Sequence, residues 1–292
     1  MEPSYIRAHK QGILRERTEM LLRDLHNCTL CPRNCHADRI SGDTGICQTG
    51  ELAMVSSYMP HFGEESTIFF TNCNLLCNFC QNFDISHEGR GQTVHSRELA
   101  DMMLTLQAIG CHNINFVTPT HVVPQILQAL ILAVEDGLQI PLVYNSGGYD
   151  HASTLKKLDG IIDIYMPDFK FWDSNIASDS CNAPDYPEVA RQAVSEMYRQ
   201  VGDLILNSEG LADRGLLIRH LVMPDGIAGT RNVMEFLSRE ISTDTYVNIM
   251  PQYRPCGHTS EISSLRRPIE MMEFREALQD ALDAGITRLD QR

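Results

Sequence analysis

The 292-residue sequence has little positive charge and no long apolar run. Asp and Glu number 38 against 24 Lys and Arg, and no basic cluster is longer than a pair. A main partner that is a nucleic acid or an anionic membrane would require a positive surface, so both classes are excluded. The apolar stretch "ILQALILAV" is interrupted by Gln128 and is too short to cross a bilayer. The partner we expect is a small molecule or another protein.

The first twenty residues contain no apolar core of the signal-peptide type. We therefore expect a cytoplasmic protein, and in that reducing compartment the ten cysteines should not form disulfides. Nucleophile-elbow and metalloprotease helix motifs are also missing, which disfavours a conventional hydrolase. Seven of the cysteines fall in two tight groups, and such clustering is typical of metal binding.

The first cysteine group lies in an N-terminal segment without a regular period. Residues 5–26 have a loose helical spacing, and the loop "CTLCPRNCHADRISGDTGIC" follows. We interpret residues 1–62 as a metal-binding appendage and residues 63–292 as the main domain. Cys28, Cys31, Cys35 and Cys47 form a complete set of four thiolates, which predicts structural zinc or an auxiliary iron-sulfur cluster. The alternative is a loop without metal.

The main domain alternates short β-prone runs with helical stretches. The predicted strands are "TIFF", "NINFV", "IPLVY", "IDIYM", "LLIRHLV" and "YVNIM". The predicted helices cover residues 96–109, 124–135, 153–157, 187–201, 230–240 and 268–284. This alternation predicts an α/β fold with a parallel sheet covered by helices. Periodicity alone leaves open whether the strands form a partial barrel or an open doubly wound sheet.

Polar residues follow the carboxyl end of each predicted strand, where the active sites of such folds lie. After the first strand come Cys73, Cys77 and Cys80, and the next five strands are followed by residues 118–121, 145–150, 167–170, 223–226 and 251–258. Thiolates with the C-x3-C-x2-C spacing can hold three irons of a 4Fe-4S cluster and leave the fourth open. The alternative is a zinc site with His61 or His87 as its fourth ligand, which explains neither Phe79 nor the strand-end placement.

The cysteine motif, with an aromatic residue before its last cysteine and a strand before it, resembles the signature of the radical S-adenosylmethionine (radical SAM) superfamily. The segments "CxLCPRxC…GxxGxC", "NCNLLCNFCQN", "NINFVTPTHVVPQI" and "QYRP" are similar to the pyruvate formate-lyase activating enzyme-like subgroup, over most of residues 28–256. The resemblance implies a partial (βα)6 TIM-like barrel and a 4Fe-4S cluster. Its open iron chelates S-adenosylmethionine, whose reductive cleavage gives a 5′-deoxyadenosyl radical for hydrogen abstraction.

The same resemblance implies an electron donor such as flavodoxin or ferredoxin. The implied substrate is a glycyl-radical enzyme to be activated, or else a small molecule or peptide to be modified. The ferredoxin-like insertion that some activases carry after the cluster loop is missing. The contrasting hypothesis is a non-catalytic zinc-binding regulatory protein, which would not cleave S-adenosylmethionine.

Several cofactor-binding residues follow from the resemblance. Phe79 and the backbone at Gln81 and Asn82 match the segment that contacts adenine. Thr118 and His121 stand where relatives carry the Gly-Gly-Glu that receives the methionine amino group, so this sequence departs from the family pattern there. His121 is also a candidate proton mediator, or else a packed side chain.

Further along the chain, Asn145 and Ser146 match positions that contact the ribose or the carboxylate of the cofactor. Asp168 and Lys170 resemble an Asp-x-Lys motif near that carboxylate, and a simple ion pair is the alternative.

The remaining candidate positions have weaker interpretations. Residues 252–254 are expected at the open end of the fold, with Tyr253 either a hydrogen donor or a packed ring with a satisfied hydroxyl. Cys256 is expected on the same rim. We interpret Cys111 as a small buried hydrophobe and Cys181 as a loop residue.

Overall fold

The computed structural model describes residues 1–61, 65–259 and 262–290. The chain forms two compact units. The first comprises Met1–Asn74, Asp84–Ser146 and Asp150–Tyr165, and the second comprises Leu75–Phe83, Gly147–Tyr149 and Met166–Arg292. The predicted domain boundary at residues 62 and 63 lies outside the described residues.

The first unit contains a mixed sheet and its covering helices. Its helices are α1 (Ser4–Lys10), α2 (Ile13–Arg23), α3 (Phe83–Ser86, which begins one residue before the unit's second segment), α4 (Ser96–Ala108), α5 (Val123–Glu135) and α6 (Ala152–Lys156). Its strands are β1 (Ala53–His61), β2 (Glu65–Phe70), β3 (Gln92–Val94), β4 (Ile114–Val117), β5 (Leu142–Asn145) and β6 (Ile164–Tyr165). Their order is β3-β1-β2-β4-β5-β6. β1 is antiparallel to both neighbours, and the pairs from β2 to β6 are parallel.

The parallel strands are short and apolar because they are buried. All four residues of β5 are buried, and Ile114 and Phe116 of β4 are fully inaccessible. A continuous apolar run in a strand is the pattern expected when both faces of a parallel sheet are covered. α4 begins at a capping box, in which the His95 N–H donates to Glu98 Oε2 at 2.7 Å.

The second unit is built around the long strand β8. Its elements are α7 (Ser174–Cys181), α8 (Tyr186–Val201), β7 (Ile205–Leu206), β8 (Ala212–Leu221), α9 (Thr230–Phe236), β9 (Tyr246–Met250) and α10 (Met271–Asp283). β8 pairs antiparallel with β7 and parallel with β9. A parallel bridge between Asp168 and Arg219 aligns the segment before α7 with the same strand. No helix among the described residues is long and apolar enough to cross a membrane.

The predicted α/β class with mostly parallel strands is confirmed, and each of the six predicted strands is present. The strands β1, β3 and β7 and the helices α3 and α7 were not predicted. β1 has buried residues only at Ala53 and Val55 before a register shift, so its sequence shows no sustained alternation. The loose helix over residues 5–26 is two helices, since Gly12 adopts a left-handed conformation with φ of 77° between them.

Candidate functional site

The loop after β2 carries the cysteine motif, and its first part belongs to the first unit. Asn72 has a left-handed backbone with φ of 66°. Its side-chain Nδ2 donates to Gln48 O and to Thr49 Oγ1, each at 3.3 Å. Because Asn72 directly precedes Cys73, these bonds tie the start of the motif to the end of the N-terminal Cys-rich segment.

The second part of the loop, Leu75–Phe83, belongs to the second unit. Cys77 and Cys80 are joined by a turn in which the Cys80 N–H donates to Cys77 O at 3.1 Å. Cys77 is 8% exposed, and its Sγ lies 3.3 Å from Cys181 Sγ. The thiol contact with Cys181 and burial together raise the pKa of Cys77 well above its usual value. Cys181 is the last residue of α7, which corrects our interpretation of it as a loop residue.

Phe79, a predicted adenine contact, is buried among other rings of the second unit. Its ring centroid lies 5.7 Å from that of Phe171 in an edge-on arrangement and 6.3 Å from that of Tyr253. Gln81 and Asn82 are exposed. The aromatic position of the motif therefore anchors the loop in a core, while the two residues after it lie at the surface.

The segment after β9 holds the same loop through several bonds. Gln81 Nε2 donates to Gln252 O at 3.0 Å, and the Cys256 thiol donates to Phe79 O at 3.1 Å. The Tyr253 hydroxyl donates to Leu265 O at 2.8 Å, and burial raises the pKa of Tyr253 to about 12. Tyr253 is therefore a packed ring with a satisfied hydroxyl, the second of the two interpretations of this residue.

Asp168 and Lys170 form an ion pair that also includes Arg219. Lys170 Nζ lies 2.5 Å from Asp168 Oδ2, and Arg219 donates to Asp168 Oδ1 from Nε at 2.8 Å and from Nη2 at 2.7 Å. Burial alone would raise the pKa of Asp168, but the two cations outweigh it and lower that pKa. The pKa of Lys170 is raised because Asp168 and the nearby Cys77 outweigh the effect of burial. An ammonium kept charged thus lies within electrostatic range of a motif thiol.

Tyr186 fixes the backbone around this ion pair. Its hydroxyl accepts from the Lys170 N–H at 2.9 Å and donates to Gly147 O at 3.0 Å. Gly148 has φ of 76°, and a Cβ at this position would lie 2.1 Å from Asp168 O. Only glycine fits this approach of the two backbone segments.

In the first unit, Thr118 lies directly after β4 with φ of 61°. For a β-branched residue this left-handed conformation is a strained outlier, and such outliers cluster at functional sites. The Thr118 N–H donates to Asn145 O at 2.9 Å, which links two of the predicted cofactor residues. The structure thus brings Thr118 and Asn145 together at neighbouring strand ends.

Asp150, which we did not single out, collects the hydroxyl groups around these strand ends. It accepts from Ser146 Oγ at 2.5 Å, Thr120 Oγ1 at 2.7 Å and Tyr144 Oη at 2.9 Å. Burial raises the pKa of Asp150, and the three hydroxyl donors oppose that rise. The predicted cofactor residue Ser146 therefore has its hydroxyl engaged by a buried carboxyl.

The four N-terminal cysteines line one small cavity in the first unit, together with Leu30, Arg33, Arg39, Gly45 and His121. Ile46 N–H donates to Cys35 Sγ at 3.3 Å, and a Cβ on Gly45 would lie 2.7 Å from that sulfur. Burial, with the neighbouring cysteines adding to it, raises the pKa of Cys31 to about 12, and burial also raises the pKa of Cys47. The four predicted thiols thus line one cavity.

His121, predicted at the cofactor amino group, lines this N-terminal cavity. It is 1% exposed, and its Nε2 donates to Thr71 O at 2.9 Å. Burial, aided by the Arg39 charge, lowers the pKa of His121 to about 4, so the ring is neutral at physiological pH. His121 connects the cavity to the residue at which the strand-end loop begins.

Across residues 1–61, 65–259 and 262–290, no three His, Cys, Asp or Glu side chains converge closely enough to hold one metal ion. A cubane differs from a single ion in that each cysteine ligates a separate iron. As for the alternative zinc ligands, His87 Nδ1 lies 2.8 Å from Ser86 Oγ, and the His61 side chain lies outside the described residues.

Besides Asp150, Arg219 and Arg39 also matter for these sites and escaped sequence reasoning. Arg219 interrupts the apolar run "LLIRHLV" on β8, and Arg39 lies between the third and fourth N-terminal cysteines. A charged residue within an otherwise apolar strand is the signal that could have identified Arg219, because buried charges need partners.

The chain is 28% identical over 286 residues to an uncharacterized protein of Methanocaldococcus jannaschii, covering 92% of this chain and 78% of that protein. It resembles the solved structure of a radical SAM methyltransferase from Sphaerobacter thermophilus, with a TM-score of 0.54, 14% identity and coverage of 80% of this chain and 69% of that one. It also resembles HydG, a maturase of the FeFe hydrogenase, with a TM-score of 0.51, 13% identity and coverage of 76% and 50%. No family model matches the sequence. These likenesses show that the α/β fold is shared with the two solved structures.

Proposed function

We propose that this protein is a radical SAM enzyme, in which Cys73, Cys77 and Cys80 hold a 4Fe-4S cluster that binds S-adenosylmethionine at its open iron. The observation that carries the proposal is the position of the C-x3-C-x2-C motif directly after β2, the first strand of the parallel set, in a fold shared with a radical SAM methyltransferase. When bound, the cluster supplies the electron that splits the sulfonium homolytically. The rest of the proposal concerns what the protein contributes.

The contact with Cys181 and burial raise the pKa of the free Cys77 thiol, whereas the positive charge of Lys170 lowers it. Asp168 in turn keeps Lys170 protonated. Deprotonation of the thiol on binding iron would give Lys170 a second anionic neighbour, and ligand thiols release protons on binding metal. Lys170 therefore favours the ligated form of Cys77.

The cofactor residues are proposed from the sequence resemblance and from their chemistry. Phe79, Gln81 and Asn82 would contact the adenine, and the Thr118 and Asn145 side chains would contact the amino acid or ribose part of S-adenosylmethionine. The backbone N–H of Thr118 is already bonded to Asn145 O, so the hydroxyl is the group left for the ligand. In this proposal the left-handed conformation of Thr118 orients that hydroxyl toward S-adenosylmethionine.

Ser146, His121, Asp168 and Lys170 act as positioning residues in this proposal. Each already has a polar partner within its own unit: Asp150 for Ser146, Thr71 O for His121, and each other for the ion pair. Loss of these residues should therefore change the arrangement of the loops rather than remove a direct contact.

The proposed substrate is a backbone glycine of a partner protein, as the subgroup resemblance suggests, with a flavodoxin-like or ferredoxin-like electron donor. Modification of a small molecule or peptide is the competing outcome. A cell extract added to the reaction separates the two, because the product label appears either in a protein or in the low-molecular-weight fraction.

The test is anaerobic reconstitution with iron and sulfide, followed by S-adenosylmethionine and dithionite. We expect broad visible absorption from a cluster and formation of 5′-deoxyadenosine, accelerated by extract. A chain that takes up zinc, contains no inorganic sulfide and leaves S-adenosylmethionine intact would instead be the zinc-binding regulatory protein, and the proposal would be wrong.

A further inference from the structure

Arg39 is a fully buried cation in the first unit whose charge no carboxylate balances. It is 1% exposed, and its Nε donates to Gly50 O at 2.9 Å while Nη1 donates to His121 O at 2.8 Å. Nη1 also lies 3.9 Å from Cys28 Sγ. Among the described residues no Asp or Glu pairs with Arg39, and its Nη2 is buried without a partner.

A buried guanidinium of this kind needs an anion. Arginine does not lose its proton in proteins, and an uncompensated buried charge is strongly destabilising. The carbonyl groups that Arg39 contacts supply only dipoles. The remaining groups that can carry negative charge in its surroundings are the thiols of the cavity that Arg39 helps to line.

The thiolate is the form of cysteine that ligates metal, so a bound metal centre brings negative charge into this cavity. A dication held by four thiolates carries a net negative charge, and so does a 4Fe-4S cluster in its oxidised state with four cysteine ligands.

We propose that Cys28, Cys31, Cys35 and Cys47 hold an anionic metal–thiolate centre and that Arg39 is its buried counter-ion. The proposal is independent of the radical SAM assignment, since all of its residues lie in the first unit and none belongs to the strand-end cysteines Cys73, Cys77 and Cys80. Of the two candidate centres, an iron-sulfur cluster fits better than a single zinc ion, because no three ligand side chains of the described residues converge closely enough to hold one ion. The experiment distinguishes the two.

A second observation points to a ligand at the same place. His121 lines the cavity, and its Nδ1 is buried with no partner among the described residues. Because Nε2 donates to Thr71 O, Nδ1 carries the lone pair and must accept a proton donor or a metal. One guanidinium nitrogen, Arg39 Nη2, and one ring nitrogen, His121 Nδ1, thus lack partners in two residues that line one cavity, which is the arrangement expected around a ligand of mixed polarity.

The conformation of the Cys-rich segment is consistent with a chain wrapped around an ion. Asn34, His36 and Gln48 all have left-handed backbones, with φ of 44°, 55° and 52°. Asparagine and histidine tolerate positive φ better than most residue types, so Gln48 is the unusual one of the three. Three such backbones in one segment describe an irregular chain path, as a loop around a metal centre would have.

The test uses the full chain with Cys73, Cys77 and Cys80 all replaced by alanine, which leaves only the N-terminal set. We expect this variant to retain either about one zinc or about four irons with sulfide per chain, measured by elemental analysis and sulfide assay. Adding Cys31→Ser and Cys47→Ser should remove that metal. Metal content that is zero before these two changes, or unchanged after them, would overturn the proposed centre.

The counter-ion is tested in the same background by competition with a chelator. Arg39→Met should weaken metal binding on the order of ten- to a hundredfold, because a charge-assisted interaction is lost. Arg39→Lys should recover part of that loss, and the exposed Arg231→Met should bind metal as tightly as the parent. Equal affinity in the Arg39→Met variant would show that Arg39 is not the counter-ion.

Folding is monitored in parallel by circular dichroism, and Arg39→Lys keeps the comparison meaningful if Arg39→Met does not fold. If Arg39→Lys binds metal as tightly as the parent, the positive charge is what matters at this position. If it binds metal as weakly as a folded Arg39→Met variant, the counter-ion role is contradicted. Failure of the wild-type chain to cleave S-adenosylmethionine, with metal retained in the alanine variant, would refute the proposed function and leave this inference standing.

Discussion

The two cysteine-bearing regions balance their buried cations in opposite ways. Beside Cys77, the Lys170 ammonium forms an ion pair with Asp168, which also forms an ion pair with Arg219. Beside Cys28, the Arg39 guanidinium has only carbonyl oxygens and sulfur around it in the described part of the chain. In the first arrangement each cation contacts a carboxylate without metal, and in the second the cation contacts none. We therefore expect loss of metal to affect chemistry at the strand-end region and folding at the N-terminal region.

The largest expected effect separates the two regions by function. Cys77→Ala should abolish 5′-deoxyadenosine formation in the reconstituted protein, since one iron loses its ligand, while far-UV circular dichroism stays unchanged. Cys31→Ser should instead lower the midpoint of thermal unfolding, because Arg39 then lacks its anion. The measurements are product formation by chromatography and thermal unfolding.

Cys111→Ala is the matched control for these variants. Cys111 lies in the first unit and belongs to neither cysteine set. It is buried, as predicted by its interpretation as a small hydrophobe. We expect it to keep both cleavage activity and metal content. Full activity in Cys77→Ala would mean that the ligands have been assigned wrongly, and an unshifted midpoint in Cys31→Ser would erase the contrast between the regions.

A second change makes the strand-end region resemble the N-terminal one. Asp168→Asn leaves Lys170 and Arg219 without a carboxylate, and removing one partner of a buried ion pair costs about 3 kcal/mol. Asp168 and Lys170 side chains are only 12% and 15% exposed, so solvent screening does little to reduce this cost. Urea unfolding of the metal-free chain should show the loss.

The control for Asp168→Asn is Asp225→Asn, which removes the carboxylate of an exposed pair with Arg267. Surface pairs contribute little, so the urea midpoint should barely move. If both variants lose equal stability, burial is not what makes the Asp168 pair important. A rise in the Kd for S-adenosylmethionine without loss of stability would assign Asp168 to the cofactor instead.

Features that depend on a short stretch of sequence could be predicted, whereas features that depend on how distant segments align could not. The six parallel strands were predictable because buried strands are continuous apolar runs, and the motif cysteines could be located because one such run precedes them. The pairing of Asp168 with Arg219 joins residues 51 positions apart and depends on which residues of two segments lie side by side. The contact of Cys77 with Cys181 depends in the same way on where α7 ends.

A third prediction compares the two buried histidines. His220 and His121 both have a pKa lowered to about 4, chiefly by burial, but only His220 has partners at both ring nitrogens, Phe169 O and Thr230 Oγ1. The unfolded chain binds a proton near pH 6.5, so stability falls as pH drops from 7 toward 4. For His220 the loss between pH 7 and pH 5 should be about 2 kcal/mol.

His220→Gln should remove that portion of the pH dependence, measured as the difference between urea unfolding free energies at pH 7 and pH 5. The exposed His26→Gln is the matched control and should keep the parental difference. An unchanged difference in His220→Gln would mean that His220 is not held neutral in the folded chain.

The smallest expected effect concerns the left-handed residues of the two regions. In the Cys-rich segment, Asn34 and His36 belong to residue types that tolerate positive φ, whereas Thr118 at the strand ends is β-branched. Thr118→Gly should therefore relieve strain and raise the unfolding free energy by about 1 kcal/mol, after the entropic cost of glycine is subtracted. Thr118→Ala keeps the unfavourable φ and should not stabilise.

Both Thr118 variants lack the hydroxyl, so both should raise the Kd for S-adenosylmethionine several-fold if that hydroxyl contacts the ligand. Glycine should raise it further than alanine, because it frees the backbone that aims the side-chain position. Equal unfolding free energies for the two variants would mean that the backbone of Thr118 is unstrained. Its left-handed conformation would then be no sign of a binding site.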